Sequence, residues 1–293
     1  MIRKYLEEAI GSHIKIDKLH GEASSRSFFR IHFPGYSRVA MVYPDENRAE
    51  IERIMRLTAL YREHGLRVPE IYEVIDNRVI LLQDLGSELL QKTFRLAPAE
   101  EKRQLVQKIA VILGKLHRIP AQHTDRTLDP PRLKWEMDFF LEHFVGPGAF
   151  YGLAKEALRP RLYELAESIA DISHFAHRDF HSRNLLYHRG DIYLVDFQDS
   201  LKASPYYDLV SIAFDAYLDL GPRLELLLAE YEQQGLAIDR EQFFLTALQR
   251  NIKALGSFGF QVHVRKNLAY KKYTGRTLRH IAHNPLTPRF LHK

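Results

Sequence analysis

Hydrophobic and polar positions change rhythm once along this chain. Residues 14–19 alternate (Ile14-Lys15-Ile16-Asp17-Lys18-Leu19), which is the period of a half-buried strand. Residues 28–33, 38–43, 68–72 and 79–82 read as four more strands, the last two flanking an Asp76-Asn77 turn. Residues 4–10 predict a short helix closed by Gly11. A longer helix over 47–64 carries Ile51, Ile54, Leu57 and Leu60-Tyr61 at helical spacing, with Gly65 as its stop. Gln83-Asp84-Leu85-Gly86 then breaks the pattern. Beyond Pro98 the texture is helical: 98–117, an aromatic segment at 135–144, and stretches at 158–170, 206–213, 223–234, 240–256 and 267–283. The rings of 135–144 read mostly as core, and the last ten residues read as a tail. One strand-like run, Ile192-Tyr193-Leu194-Val195, interrupts the helices. This order predicts an α+β protein. A small lobe over 1–86 is built on an antiparallel sheet, with a hinge at 83–87. A larger, mainly helical lobe follows over 87–293.

Composition narrows the class. At 293 residues and 45% hydrophobic, the chain can bury a large core. Its 42 basic and 37 acidic residues give a formal charge of +5, which suits an anionic nucleotide but is too small to argue for nucleic acid. Arg265, Lys266, Lys271, Lys272, Arg276 and Arg279 lie close in sequence and read as a solvated helical face. The absence of cysteine removes disulfides, thiolate nucleophiles and Cys-based zinc sites. His280 and His283 are too few for a closed metal site and read as surface residues. The charged start MIRKYLEEAIGSH lacks the apolar centre of a signal peptide, and no run of about 18 apolar residues occurs. A cytoplasmic protein with no membrane segment is expected.

The chemistry concentrates between His174 and Asp199. His177-Arg178-Asp179 is followed five residues after the Asp by Asn184, and the 192–195 run ends in Asp196-Phe197. A single Asp or Asn in a loop is ordinarily a turn residue or a cap. Three of them at the spacing H-R-D-x-x-x-x-N and then D-F match the catalytic core of protein kinases. By that match Asp179 is the base for an attacking hydroxyl, and Asn184 and Asp196 are ligands for Mg2+. Upstream, residues 21–27 (GEASSRS) form a small-residue turn between two strands, where Ser24 and Ser25 can approach phosphates. The third strand carries no Lys; Met41, or Val42 in a shifted register, stands where kinases place one. Arg26 and Arg30 are the nearby cations, and both also suit a strand edge. Without that Lys, Glu52 on the following helix loses its salt-bridge rationale and reads as surface. Gln83, Asp84 and Leu85 are the hinge candidates for a nucleotide base. Asp208, near a helix start, reads as a brace for the catalytic loop.

The short catalytic loop leads directly into VDFQDS and SPYYDLVSI, with no long activation segment. In this the chain resembles the aminoglycoside-phosphotransferase and choline-kinase-like branch of the kinase superfamily. More narrowly it is similar to the bacterial anomeric kinases of N-acetylmuramate and N-acetylglucosamine. That resemblance rests on residues 21–33 (GEASSRSFFRIHF), 81–86 (LLQDLG), 177–186 (HRDFHSRNLL), 195–211 (VDFQDSLKASPYYDLVS) and 248–258 (LQRNIKALGSF). It implies a protein-kinase-like two-lobe fold and transfer of a γ-phosphoryl group from ATP, with GTP left open, to a sugar hydroxyl in cell-wall recycling. The acceptor is placed in the helical lobe by position, near Glu136, Arg183 and Asp199. An aminoglycoside, a choline-like alcohol or another hydroxyl metabolite is the alternative acceptor. A nucleotide-binding pseudokinase is the alternative outside catalysis, motivated by the missing strand Lys. Protein partners are not readable.

Overall fold

The computed structural model describes residues 2–11, 14–19, 26–146, 154–169 and 171–291. The chain divides into two compact units, Met1–Leu89 with Leu185–Gln198, and Leu90–Asn184 with Asp199–Lys293.

The first unit holds α1 (Ile2–Ile10), β1 (Lys15–Leu19), β2 (Ser27–Phe33), β3 (Tyr36–Val42), α2 (Arg48–Glu63), β4 (Ile71–Ile75) and β5 (Val79–Gln83). Its strands form an antiparallel sheet in the order β1-β2-β3-β5-β4. Successive side chains of a strand face opposite sides, and here both sides are covered. Ala40 and Val42 join Phe29, Ile31 and Leu81 in one core, closed by Leu6 of α1. Met41 and Tyr43 point the other way, into a core with Ile51 and Ile54 of α2. The N-terminus of α2 is capped by Asn47, whose side chain accepts from the Glu50 N–H. Asp76 and Asn77 at the β4–β5 turn have φ of 49° and 48°, the left-handed pair of a type I′ hairpin.

The same unit takes in a second hairpin, Leu185–His188 with Asp191–Leu194. Backbone bonds from Tyr187 N to Glu88 O (2.7 Å) and from Leu194 N to Arg67 O (2.8 Å) attach it, so the compact units are not contiguous in sequence.

The second unit contains α3 (Leu90–Leu96), α4 (Ala99–His117), α5 (Pro130–Phe140), α6 (Lys155–Ser168), α7 (Tyr207–Ala213), α8 (Arg223–Glu232), α9 (Arg240–Gly259), α10 (Lys271–His283) and α11 (Thr287–Leu291). A two-stranded sheet, His174–Ala176 with Leu201–Ala203, lies among them. Asp129 and Asp239 cap α5 and α9 by accepting first-turn N–H groups. Leu245, Leu248, Ile252 and Leu255 of α9 pack with Met137 and Phe140 of α5 and Ile281 of α10. The approach is close at Gly256, where a Cβ would stand 2.8 Å from the Phe140 Cα, so the helix needs a glycine there.

Two expectations are corrected here. The last ten residues are not a tail: α11 buries Phe290 and Leu291, because even one short turn hides an apolar pair. Of the aromatic segment, Phe140 is core as expected of most of its rings, while Trp135 is 60% exposed and stacks on Phe139. The helix expected to end near 256 runs to Gly259 and continues as a π turn over Phe260–Val264. Glu52 is exposed, as the missing strand Lys implied, and pairs with Arg48. Among the described residues no helix is long and apolar enough to cross a membrane, and no group of acidic or histidine side chains forms a metal cluster.

Candidate active site

In the helical unit the loop after His174–Ala176 is fastened from α7. Asp208 accepts from the His177 N–H at 2.6 Å and the Arg178 N–H at 3.0 Å. Asp215 does the same for the next turn, accepting from the Ser182 and Tyr217 N–H groups, each at 2.8 Å. Burial raises both carboxyls, Asp208 to about 7, against the pull of those donors. Arg178 takes φ of 79°, a conformation that non-glycine residues adopt only when the surroundings impose it. Asp208 is thus the brace that its position suggested.

Asp179 emerges from this loop with its carboxylate a quarter exposed. Lys253 Nζ lies 3.3 Å and Arg250 Nη2 3.7 Å from Oδ1, both from α9. Burial alone would raise the carboxyl, but the charges of Lys253, Arg178 and Arg250 outweigh it and hold the group far below the usual carboxylate range. His181, lowered to about 3 by burial despite Asp179, stays neutral at this site. A cavity of about 130 Å3 opens here, lined by Asp179, His181, Asp215, Tyr217, Arg250 and Lys253 among others. Asn184 turns its amide N–H toward the Asp179 carbonyl (3.0 Å), and its side-chain oxygen carries no hydrogen bond.

The acceptor candidates fare differently. Glu136 is buried and does not line the cavity; one carboxylate oxygen accepts from Gln249 Nε2 (2.8 Å), and the other has no hydrogen-bond partner. Arg183 stacks on Tyr217, 4.8 Å from its ring centre, beside the cavity wall. Asp199 is held by Arg126 at 2.5 Å.

In the sheet unit, Asp196 also has a left-handed backbone, φ 64°. Its Oδ1 accepts from Arg26 Nη2 (3.1 Å) and Gln198 Nε2 (2.9 Å), while Oδ2 makes no hydrogen bond among the described residues. Arg53 of α2 steadies this turn by donating to the Gln198 carbonyl at 2.7 Å. Arg26 places its other terminal nitrogen 3.7 Å from the Met41 sulfur, with only 12% of its side chain exposed. A guanidinium from the end of one strand therefore stands over the position where the neighbouring strand lacks its lysine. Arg30 is engaged elsewhere: it binds Asp84 through two nitrogens at 2.6 and 3.0 Å and donates to the Gly86 carbonyl. Burial would raise Asp84, but Arg30, Ser37 and the Gly86 N–H together lower it. Gln83 accepts from the Glu70 N–H, and the Leu85 carbonyl accepts from His188. The Leu85 N–H and Asp84 carbonyl make no hydrogen bond among the described residues. Ser24 and Ser25 lie outside the described residues.

Lys253 and Arg250 were not singled out from the sequence as site residues. Their signal was present: two cations three residues apart within LQRNIKALGSF, on a helix otherwise buried along that stretch.

Residues 15–244 match the model described as the phosphotransferase enzyme family. Over 260 residues the chain is 28% identical to an N-acetylmuramate/N-acetylglucosamine kinase of Pseudomonas putida, covering 83% of this chain and 75% of the relative. An ADP-bound aminoglycoside phosphotransferase superposes with a TM-score of 0.64 at 15% identity, covering 95% of this chain and 96% of the other. A choline kinase of Streptococcus pneumoniae gives 0.67 at 16% identity, covering 96% and 97%. The shared fold is protein-kinase-like, a small antiparallel-sheet lobe with a larger helical one, as the order of elements predicted.

Proposed function

Because the chain belongs to the phosphotransferase enzyme family, we propose that it moves the γ-phosphoryl group of ATP to the anomeric C1 hydroxyl of N-acetylmuramate or N-acetylglucosamine. That it is a kinase acting on a hydroxyl acceptor is common to its family and its relatives. The observation that carries the finer reading is geometric: Lys253 Nζ stands 3.3 Å and Arg250 Nη2 3.7 Å from the Asp179 carboxylate. A carboxylate held far below its usual range is a weak base, suited to orienting a hydroxyl that is already acidic. An anomeric hydroxyl is more acidic than an ordinary alcohol. Asp179 would accept its hydrogen bond and fix its attacking lone pair, while positioning and charge neutralisation carry most of the rate.

Asn184 and Asp196, each by the chemistry of its own side chain, would offer an oxygen to a magnesium ion. One carboxylate oxygen and one amide oxygen are uncommitted, and magnesium takes one or two protein oxygens together with phosphates and water rather than a full protein cage. When bound, it neutralises charge on the nucleotide phosphates. Arg26 takes the part of the strand lysine toward those phosphates. The Leu85 N–H and the Asp84 carbonyl meet the base, a main-chain reading that serves ATP and leaves GTP open. Of the acceptor candidates, Arg183 is the one beside the cavity wall. The setting is the cytoplasm and the role is cell-wall recycling.

Arg26, with a nitrogen 3.7 Å from the Met41 sulfur, supports catalysis over the pseudokinase reading. The cations Lys253 and Arg250 in the cavity wall oppose a choline-like or aminoglycoside acceptor, leaving Asp179 and Asp215 as the acids that could attract one. The test is a product assay with Mg-ATP and N-acetylmuramate, N-acetylglucosamine, choline or kanamycin as separate acceptors, read by phosphorus NMR. Phosphate at C1 of an amino sugar is the expected result. Turnover on choline or kanamycin alone would discard the sugar and keep the phosphotransfer.

A further inference from the structure

We propose that a second cavity of the helical unit, about 570 Å3, binds a polyanionic group carried by the acceptor, remote from its reacting hydroxyl. Its wall gathers Arg95 of α3, Lys102 of α4, Arg223 of α8, and Lys272, Arg276 and Arg279 of α10. Asp219 is the one acid among the lining residues, and it accepts from the Gly221 N–H. None of the six cations is paired with a carboxylate among the described residues. Lys102 lies over the Phe94 ring at 5.9 Å and Lys272 over Tyr273 at 5.0 Å. Arg276 donates from Nη1 to the Ala216 carbonyl (3.2 Å) and keeps a buried Nε without a partner.

Like charges collected around a concave space repel one another and focus a positive field into it, so the arrangement is stabilised by an anion. Guanidinium groups present paired donors that match carboxylate or phosphate, and one such fork suffices for one carboxylate. Six cations in a space of this size suit a ligand with two or more negative charges. Three of these residues belong to the basic run that reads as a solvated face in sequence; α10 turns them toward α3, α4 and α8.

The connection to the acceptor comes from Ala216 and Tyr217, which line both this cavity and the one at Asp179. A ligand whose hydroxyl meets Asp179 can pass Tyr217 and set its charged end among the arginines, resting on the reading of Asp179 given above. The enzyme would thereby select acidic acceptors over neutral ones through binding, without touching the transfer step.

The test uses acceptors graded in charge: N-acetylglucosamine, N-acetylmuramate and N-acetylglucosamine 6-phosphate. An R223Q/R279Q double variant is compared with the native chain. We expect KM for the phosphorylated sugar to rise about 10-fold or more, with kcat kept and KM for N-acetylglucosamine unchanged. Equal effects on all three sugars, or none on any, overturn the proposal. A second measurement separates its failure from that of the amino-sugar reading: calorimetric titration of inorganic tripolyphosphate in the presence of saturating ADP. Binding that the double variant loses supports the anion site even if no amino sugar is turned over. Binding that the variant does not weaken, or none, overturns it. Variant-sensitive binding of tripolyphosphate with no preference among sugars that are turned over assigns the cavity to a free polyanion and overturns its role in acceptor choice.

Discussion

The ammonium of Lys253 stands 3.3 Å from the Asp179 carboxylate, brought there by α9 from 74 residues along the chain. Arg250 adds its charge at 3.7 Å. Two cations on one helix keep the Asp179 carboxylate ionised and weakly basic. They would also draw a developing alkoxide toward the same point. Desolvation makes such a trio expensive to assemble without function, since each charge leaves water to reach it.

Asp179→Asn keeps the shape and removes the charge. Turnover is expected to fall about 10²- to 10⁴-fold, with nucleotide affinity little changed. Steady-state rates beside a nucleotide titration decide it, and near-native turnover would sink the base assignment.

Lys253→Met should change the pH profile as well as the rate. A depressed carboxyl gives its stabilisation in full above the ordinary value of about 3.9 and loses it only as pH falls through the lowered one. The native enzyme is therefore expected to show no acid limb from Asp179 at neutral or mildly acidic pH. With the ammonium gone, burial prevails more, Asp179 titrates at higher pH, and an acid limb in kcat/KM moves upward. Lys253→Arg should keep the native profile. An unchanged limb in the Met variant would show that Lys253 does not set this carboxylate.

Arg26→Ala should raise KM for the nucleotide about 10- to 100-fold, the size of a lost charge-assisted contact. Met41→Lys in the same chain should restore much of it, because the Met41 sulfur lies 3.7 Å from the guanidinium it would replace. Failure of that rescue, with the double variant folded, would separate Arg26 from the missing lysine.

Asp208→Asn leaves two buried N–H groups facing an amide that can accept through one oxygen only. A loss of about 1–3 kcal/mol is expected in urea unfolding, with reduced turnover. The native Asp208, raised to about 7, binds its proton more tightly folded than unfolded, so its contribution to stability declines as pH climbs from about 4 to 7. The variant should lose that decline. Unfolding curves at pH 5 and 8 for both proteins read it directly.

What neighbours along the chain can encode, this sequence determined by itself. Alternation sent Ala40 and Val42 to one face of a strand and Met41 and Tyr43 to the other, and both faces found cores. Asp76-Asn77 called for its left-handed turn, and helical spacing for α2 and α4. Charge is different, because a cation acts on whatever group lies within a few ångströms, wherever that group sits in sequence. Only the tertiary structure decided that Lys253 faces Asp179, that Arg26 stands over Met41, and that Arg30 is spent on Asp84. It also turned three residues of a basic run, seen in sequence as a solvated face, into one wall of a cavity whose other cations come from α3, α4 and α8. Periodicity says which side of an element is buried; what waits on the other side is set by the packing of distant elements.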